Sequence, residues 1–400
     1  MSQRHLHLDG LRGLAALIVV IDHPLLAFDM AFLTGRPSDA LTSWDAALSG
    51  APFFLPLSGS LSVNIFFLLS GYVLGQAFYR SELGIAAQLV KRYVRLALPI
   101  LIACLISYAL LSAGWMHNHE LAKLTKSAWL DVQFQQAPSL IAAVREGGFS
   151  ALMDGVPSTV SYDSSLWTMP IEFHGSLSLI LIFRLSRLLP CDEKLRLRIL
   201  QVGLLGLAVL FYSSALGLFA LGAFLRLTGG LPKLGPRVVV LVFVLGLFLG
   251  TFPSGPSRWV GYDFLLPLTP PLPVFMPFGH SLASFWNAAG ALLILLAAES
   301  WTPFRNLLLS RPLQFLGHVS FPLYLIHIPL LMSVVSFAAL QMLGADLNYW
   351  LVACLSVALL VGVSLLVASV LFYVSERPAI TLAARMGTWV QTLGLTKTKA

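Results

Sequence analysis

Arg12 and His23 lie on one apolar run, residues 11–31. Eleven positions at about 100° each make three turns plus about 20°, so in a helix both project from one face, about 16 Å apart along the axis. That pairing offers anion binding at one end and proton transfer deeper in. His23 also suits a packed, hydrogen-bonded helix histidine, and the spacing alone leaves both roles open. Pro24 predicts a kink and a freed carbonyl close to the imidazole.

Three further sites carry chemistry. In Lys91-Arg92-Tyr93-Val94-Arg95 the two arginines share a face at i, i+3 and suit a polyphosphate, or simply anchoring to anionic lipid. Ser164-Ser165-Leu166-Trp167-Thr168-Met169-Pro170-Ile171-Glu172 opens another apolar run. Glu172 is expected at about the depth of His23, where a carboxylate would orient the imidazole and raise its basicity; a structural polar network between helices is the alternative. The run from Phe315 to Pro329 contains Tyr324 and His327. Trp167, Tyr324 and His327 are candidates for substrate contact or for structural hydrogen bonds. Ionisable groups inside a membrane span cost about 2.5–3.5 kcal/mol each on insertion scales, so they invite a functional explanation.

The elements that hold these residues follow from composition. The 400 residues are 57% apolar and 11% charged, whereas soluble domains carry roughly 25% charged residues. Ten apolar runs, near 11–31, 61–79, 94–114, 165–183, 199–214, 215–228, 237–253, 284–300, 315–340 and 349–374, predict about ten transmembrane helices in an all-α polytopic protein. The fifth and sixth are short, with Ser213-Ser214 as their only break, and a single re-entrant hairpin is the alternative. All but five of the 25 Lys and Arg residues (Arg36, Lys123, Lys126, Arg145 and Arg258) fall on one side, which predicts both termini in the cytosol. The net charge of +7 is therefore loop charge, and nucleic-acid binding is not expected. The opposite side carries three long loops, 32–60, 115–164 and 254–283, the last proline-rich and expected to be extended. Residues 1–378 form the expected membrane domain and 379–400 a short cytosolic tail.

Other patterns carry less. His5-Leu6-His7-Leu8-Asp9 and His117-Asn118-His119-Glu120 lack a further cluster to complete a metal shell, so no metal is expected. Gly246 and Gly250 signal close packing only. The three cysteines give no disulfide framework, and the sequence sets no oligomeric state.

Leu8-Asp9-Gly10-Leu11-Arg12-Gly13 with His23, Val63 through Tyr72, Arg92 with Arg95, Ser165 through Glu172, Ser320 through Pro329 and Glu376-Arg377-Pro378 occur in that order. Together they resemble the acyltransferase-3 family of integral membrane acyltransferases over residues 8–378. The block Trp167-Thr168-Met169-Pro170-Ile171-Glu172-Phe173 looks like that of a subgroup in fungi and some bacteria. The resemblance implies a ten-helix fold and transfer of an acyl group, often acetyl, from acyl-coenzyme A to a hydroxyl, commonly on a cell-surface or exported glycan. It assigns the family's arginine and histidine to Arg12 and His23, and its arginine pair to Arg92 and Arg95.

The expected mechanism follows. Arg92 and Arg95, helped by Arg12, hold the donor phosphates; the pantetheine arm threads the bundle; and His23, steadied by Glu172, serves as general base or acyl carrier. The expected location is the cell membrane, the inner membrane in a Gram-negative bacterium. A proton-coupled small-solute transporter relaying through Arg12, Glu172 and His327 is the alternative.

Overall fold

The computed structural model describes residues 6–31, 36–48, 58–252, 261–270 and 282–397. Among these residues the secondary structure is entirely helical, without strands. Each of the ten expected runs contains a helix: α1 Leu6–Phe28, α2 Gly59–Tyr79, α3 Ile85–Ser112, α4 Met169–Ser186, α5 Glu193–Leu210, α6 Ala215–Leu227, α7 Pro236–Gly250, α8 Leu282–Ser300, α9 Arg311–Leu330 and α10 Tyr349–Leu371. Six helical stretches are long and apolar enough to cross a bilayer, while Ala215–Leu227, Pro236–Gly250 and Phe285–Ser300 are apolar but shorter.

The helix boundaries have local causes. The hydroxyls of Ser58 and Ser214 accept from the amides of Leu61 and Leu216, and the Asp192 carboxylate from that of Leu195, occupying donors that a helix start leaves unpaired. Pro170 and Pro236 sit in first turns, where no amide hydrogen is needed. The Ser213-Ser214 break is a turn that separates α5 from α6, as Gly217 allows: a Cβ there would stand 2.1 Å from the Phe211 carbonyl oxygen.

Packing places α1 along α9 and against α2, and places α4 against both α2 and α3. The α1–α9 contact is nearly backbone to backbone. A Cβ on Gly13 would meet the Gly317 nitrogen at 2.3 Å, and one on Gly317 the Asp9 oxygen at 2.4 Å; one on Gly10 would meet the Leu308 oxygen at 2.0 Å, at the end of the short helix Thr302–Leu308 that precedes α9. Small residues of this kind let membrane helices approach without a hydrophobic driving force.

Three features differ from the sequence expectation. The long segment 115–164 is not a surface loop alone. Its helix Leu140–Arg145 continues through a π turn, Glu146–Ser150, and presses on the middle of α3, where a Gly147 Cβ would lie 2.5 Å from the Leu101 Cα. The expected tail is helical: α11, Arg377–Lys397, continues α10 through a π turn at Phe372–Glu376 and packs along the first half of α3. There the Gln391 side-chain oxygen accepts the Gly84 amide at 2.7 Å. Within the proline-rich stretch, Asp263–Leu268 is a compact 3-10 turn containing Pro267 rather than extended chain; Pro271, Pro273, Pro277 and Arg258 lie outside the described residues.

Gly13→Val should therefore force α1 from α9, at about 1–3 kcal/mol or more, and lower the thermal midpoint of the detergent-purified protein. Gly203→Ala, with nothing within 4 Å, should leave the midpoint unchanged or raise it. Equal midpoints for wild type and Gly13→Val would refute the close contact.

Candidate active site

Three cavities with shared walls run through the bundle. The first, about 720 Å³, opens among Arg12, Arg80, Arg92, Arg95 and Arg226. The second has the smallest volume of the three, about 140 Å³, and shares Arg12, Phe66, Ser70, Arg92, Arg95 and Glu172 with the first. Its remaining lining is mostly apolar, with Val63, Leu96 and Phe321. The third, about 330 Å³, contains His23 and meets the second at Val63, Phe67 and Tyr324. The three cavities are adjacent, in the order guanidinium-rich chamber, smaller neck, His23 cavity, and together form the track.

The guanidiniums are not equivalent. Arg92, 8% exposed, pairs with Glu172 and donates from Nε to the Ser176 hydroxyl at 2.8 Å. The Ser70 hydroxyl also donates to Glu172, at 2.9 Å. Arg12 donates to the Gly317 carbonyl at 3.0 Å and lies 3.7 Å from Asp9. Arg95 has neither a hydrogen bond nor an ion pair with any described residue, yet it faces both the first and second cavities. Glu376, at the end of the π turn between α10 and α11, lines the neck as well, with a buried carboxylate oxygen lacking a hydrogen-bond partner among the described residues.

The structure corrects the expected His23–Glu172 pairing. Glu172 is committed to Arg92 and Ser70, whereas His23 meets His327. His23 Nδ1 lies 2.8 Å from the Val19 carbonyl oxygen and 3.3 Å from His327 Nε2. His327 Nδ1 lies 2.7 Å from the Tyr324 carbonyl oxygen. A carbonyl only accepts, so both histidines carry their proton on Nδ1, and His327 Nε2 receives part of the His23 N–H. His23 Nε2 is left without a hydrogen-bond partner among the described residues, its lone pair available in the third cavity. That is the form required of a proton acceptor or an acyl acceptor. The His23 ring also lies 5.5 Å from the Trp129 ring, centroid to centroid, which the short helix Ala128–Asp131 supplies.

Tyr324 stands at the wall between neck and third cavity, its hydroxyl donating to the Ser165 carbonyl at 2.9 Å, with the Thr168 hydroxyl 2.9 Å away. Trp167 is 55% exposed and lines the third cavity. The turn Ser164–Thr168 that carries them is capped by Asp163, which accepts the Ser165 amide at 3.0 Å. Asp163 lies just before the span. Burial pushes its carboxyl up to about 8, against the lowering effect of the Ser165 hydrogen bonds.

Of the residues singled out in the sequence, Arg12, Arg92, Arg95, Glu172, His23, Trp167 and Tyr324 line the cavities, whereas His327 lines none of them and is buried against His23. Sequence reasoning missed Trp129, Ser70, Ser176, Asp22 and the cavity-facing position of Glu376. Asp22 is the neighbour of His23, lines the third cavity and accepts the Gly59 amide at 3.2 Å. Glu376 lay in a quoted motif, and Asp22 was visible as a second ionisable group in the first run. Trp129 had no local signal, because loop folding alone brings it to α1. Among the described residues no group of three or more His, Cys, Asp or Glu could hold a metal; His7 pairs with Glu299 at 3.0 Å and His119 lies 3.4 Å from Asp131.

The bundle thus places an arginine-lined chamber and a histidine-lined cavity on either side of a smaller cavity. The family model of the acyltransferase-3 domain matches residues 5–369, nearly the whole chain, and the protein belongs to that family. It is an integral-membrane acyltransferase. Acyltransferase clz18 of Cochliobolus lunatus is 25% identical over 86% of this chain and 84% of its own length. O-acetyltransferase PaAT-1 of Phomopsis amygdali is 26% identical over 81% and 71%, and an O-acetyl transferase of Shigella phage Sf6 is 27% identical over 41% and 42%. No solved structure matches. Family membership decides for the acyltransferase over the solute transporter that buried polar groups also allowed.

Glu172→Ala would leave the Arg92 guanidinium buried without its counter-charge, a change that costs about 3–5 kcal/mol in comparable buried pairs. Thermal unfolding in detergent should show this loss, and Glu172→Met with Arg92→Met should recover most of it. A Glu172→Ala protein as stable as wild type would show that the pair is unimportant to the fold.

Proposed function

We propose that this protein is an O-acyltransferase that takes an acyl group, acetyl in the simplest case, from acyl-coenzyme A and delivers it to a hydroxyl on a glycan or another exported or membrane-associated acceptor. The carrying observation is the succession of adjacent cavities, guanidinium chamber, neck and His23 cavity, that share lining residues. Arg95 and Arg12, with Arg92 held in place by Glu172, receive the donor pyrophosphate at the basic end, which we take as cytosolic from the distribution of Lys and Arg. The neck suits the uncharged pantetheine arm. Tyr324 marks the point where the thioester enters the third cavity.

In the direct route the acceptor hydroxyl gives its proton to His23 Nε2 as its oxygen attacks the thioester carbonyl carbon. The carbon–sulfur bond then breaks, and the imidazolium returns the proton to the coenzyme A thiolate. In the two-step route His23 Nε2 attacks the carbonyl first and the carbon–sulfur bond breaks to release the coenzyme A thiolate; the hydroxyl oxygen then takes the acyl group from the acyl-imidazolium, and the hydroxyl proton ends on the thiolate. In both, His327 and the Val19 carbonyl hold the Nδ1 proton and so aim Nε2 at the cavity. The O-acetyltransferase names of two relatives support a hydroxyl acceptor. A cell-membrane location, the inner membrane in a Gram-negative cell, follows from acceptor delivery on the far side.

Purified protein supplied with acetyl-coenzyme A and followed by coenzyme A release tests the reading. His23→Ala should lose about 10²–10⁴-fold in turnover while inserting and purifying normally, and Arg95→Gln should chiefly raise the donor KM. Near-normal turnover by His23→Ala would remove the mechanism.

A further inference from the structure

Arg226 remains unused by the mechanism above. It lies in the last turn of α6, and α6 packs on α2 with almost no side chain between them. A Cβ on Gly222 would lie 2.2 Å from the Leu68 oxygen, and one on Gly71 2.1 Å from the Phe219 oxygen. That approach lays the Arg226 guanidinium over the Tyr72 ring, its central carbon 5.3 Å from the centroid. Nη1 donates to the Tyr72 hydroxyl over a long 3.4 Å. Tyr72 is 2% exposed, so the platform is fixed. Arg226 has no carboxylate within ion-pair distance among the described residues, and it faces the first cavity. A guanidinium stacked on a buried ring, with most of its five N–H donors uncommitted, is preorganised for an anion.

Its position along the track matters. Ser70 marks the level of the Arg92–Glu172 pair. Tyr72 lies two residues, about 3 Å of helix rise, further towards the basic end. Arg226 is therefore beyond Arg92 and Arg95 as seen from His23, within the wide chamber rather than the neck. In coenzyme A the pyrophosphate separates the pantetheine arm from a ribose that bears a 3′-phosphate. A donor threaded thioester first, with its pyrophosphate at Arg95, must place that third phosphate on the Arg226 side.

We propose that Arg226, seated on Tyr72, recognises the ribose 3′-phosphate of the donor and makes the enzyme select complete coenzyme A thioesters over 3′-dephospho-coenzyme A thioesters. The inference rests on acyl-coenzyme A being the donor. It makes Arg226 a specificity contact at the far end of the site from the chemistry.

The test compares kcat/KM for acetyl-coenzyme A and acetyl-3′-dephospho-coenzyme A with the full chain in detergent, for wild type, Arg226→Gln and Arg226→Lys. Wild type should prefer the complete donor by about tenfold or more, the worth of one charge-assisted contact. Arg226→Gln should lose about ten- to a hundredfold with acetyl-coenzyme A, mainly through KM. It should lose far less with the dephospho donor, so that the ratio falls towards one. Arg226→Lys should keep part of the preference. Equal losses with both donors would mark Arg226 as a structural or lipid-anchoring residue and overturn the proposal. The wild-type ratio decides even if the variants misfold: active enzyme with a ratio near one defeats this inference alone. Wild type that releases thiol from neither donor defeats the acyl-coenzyme A reading as well.

Discussion

The bundle depends on the contact between α1 and α9, made possible by glycines. Gly13 on α1 and Gly317 on α9 have no room for a Cβ; the one at Gly317 would stand 2.4 Å from the Asp9 oxygen. The contact fixes both ends of the track at once. At the basic end Arg12 bonds the Gly317 carbonyl, and at the other His23 meets His327. Two helices in backbone contact hold a guanidinium and an imidazole at a spacing of about 16 Å along the axis. A looser interface of large side chains would let that spacing and the histidine pairing drift independently.

Electrostatics divides the work among the arginines. Burying a guanidinium is costly unless it is paired, and Arg92 is paired, with Glu172 and two serine hydroxyls completing the set. Arg95 lies one helical turn on and lines the same two cavities, without a hydrogen bond or ion pair of its own among the described residues. A fully neutralised cluster would have little affinity for phosphate, and an unneutralised one would repel itself. Glu376 at the neck adds a counter-charge close to the free cation. The neck therefore carries charged groups of both signs beside apolar ones such as Phe66 and Phe321, and Val63, Phe67 and Tyr324 lead from it to the His23 cavity.

The sequence made the helices legible because bilayer crossing demands long apolar runs, and Arg12 and His23 legible because eleven positions bring two residues onto one face. Arg92 and Arg95 were legible for the same reason. Helix azimuth was not. Glu172 and His23 have similar expected depths, but α4 packs between α2 and α3 while α1 lies along α9, so the carboxylate found an arginine and the imidazole found another imidazole. Depth follows from counting residues; neighbours follow from packing, which small differences in glycine placement decide. The insertion of Glu146–Ser150 onto α3, the arrival of Trp129 beside His23 and the helical continuation past Phe372 also arise from tertiary contacts that leave little trace in local pattern.

The most direct measurement is a cryo-electron-microscopy structure with a thioether analogue of acetyl-coenzyme A, which binds but cannot transfer. The account predicts pyrophosphate density at Arg95 and Arg12, an extended arm through the neck past Phe66 and Tyr324, and the acyl carbonyl carbon within reach of His23 Nε2. Density with the nucleotide outside the arginine chamber, or with the acyl end directed away from His23, would contradict it.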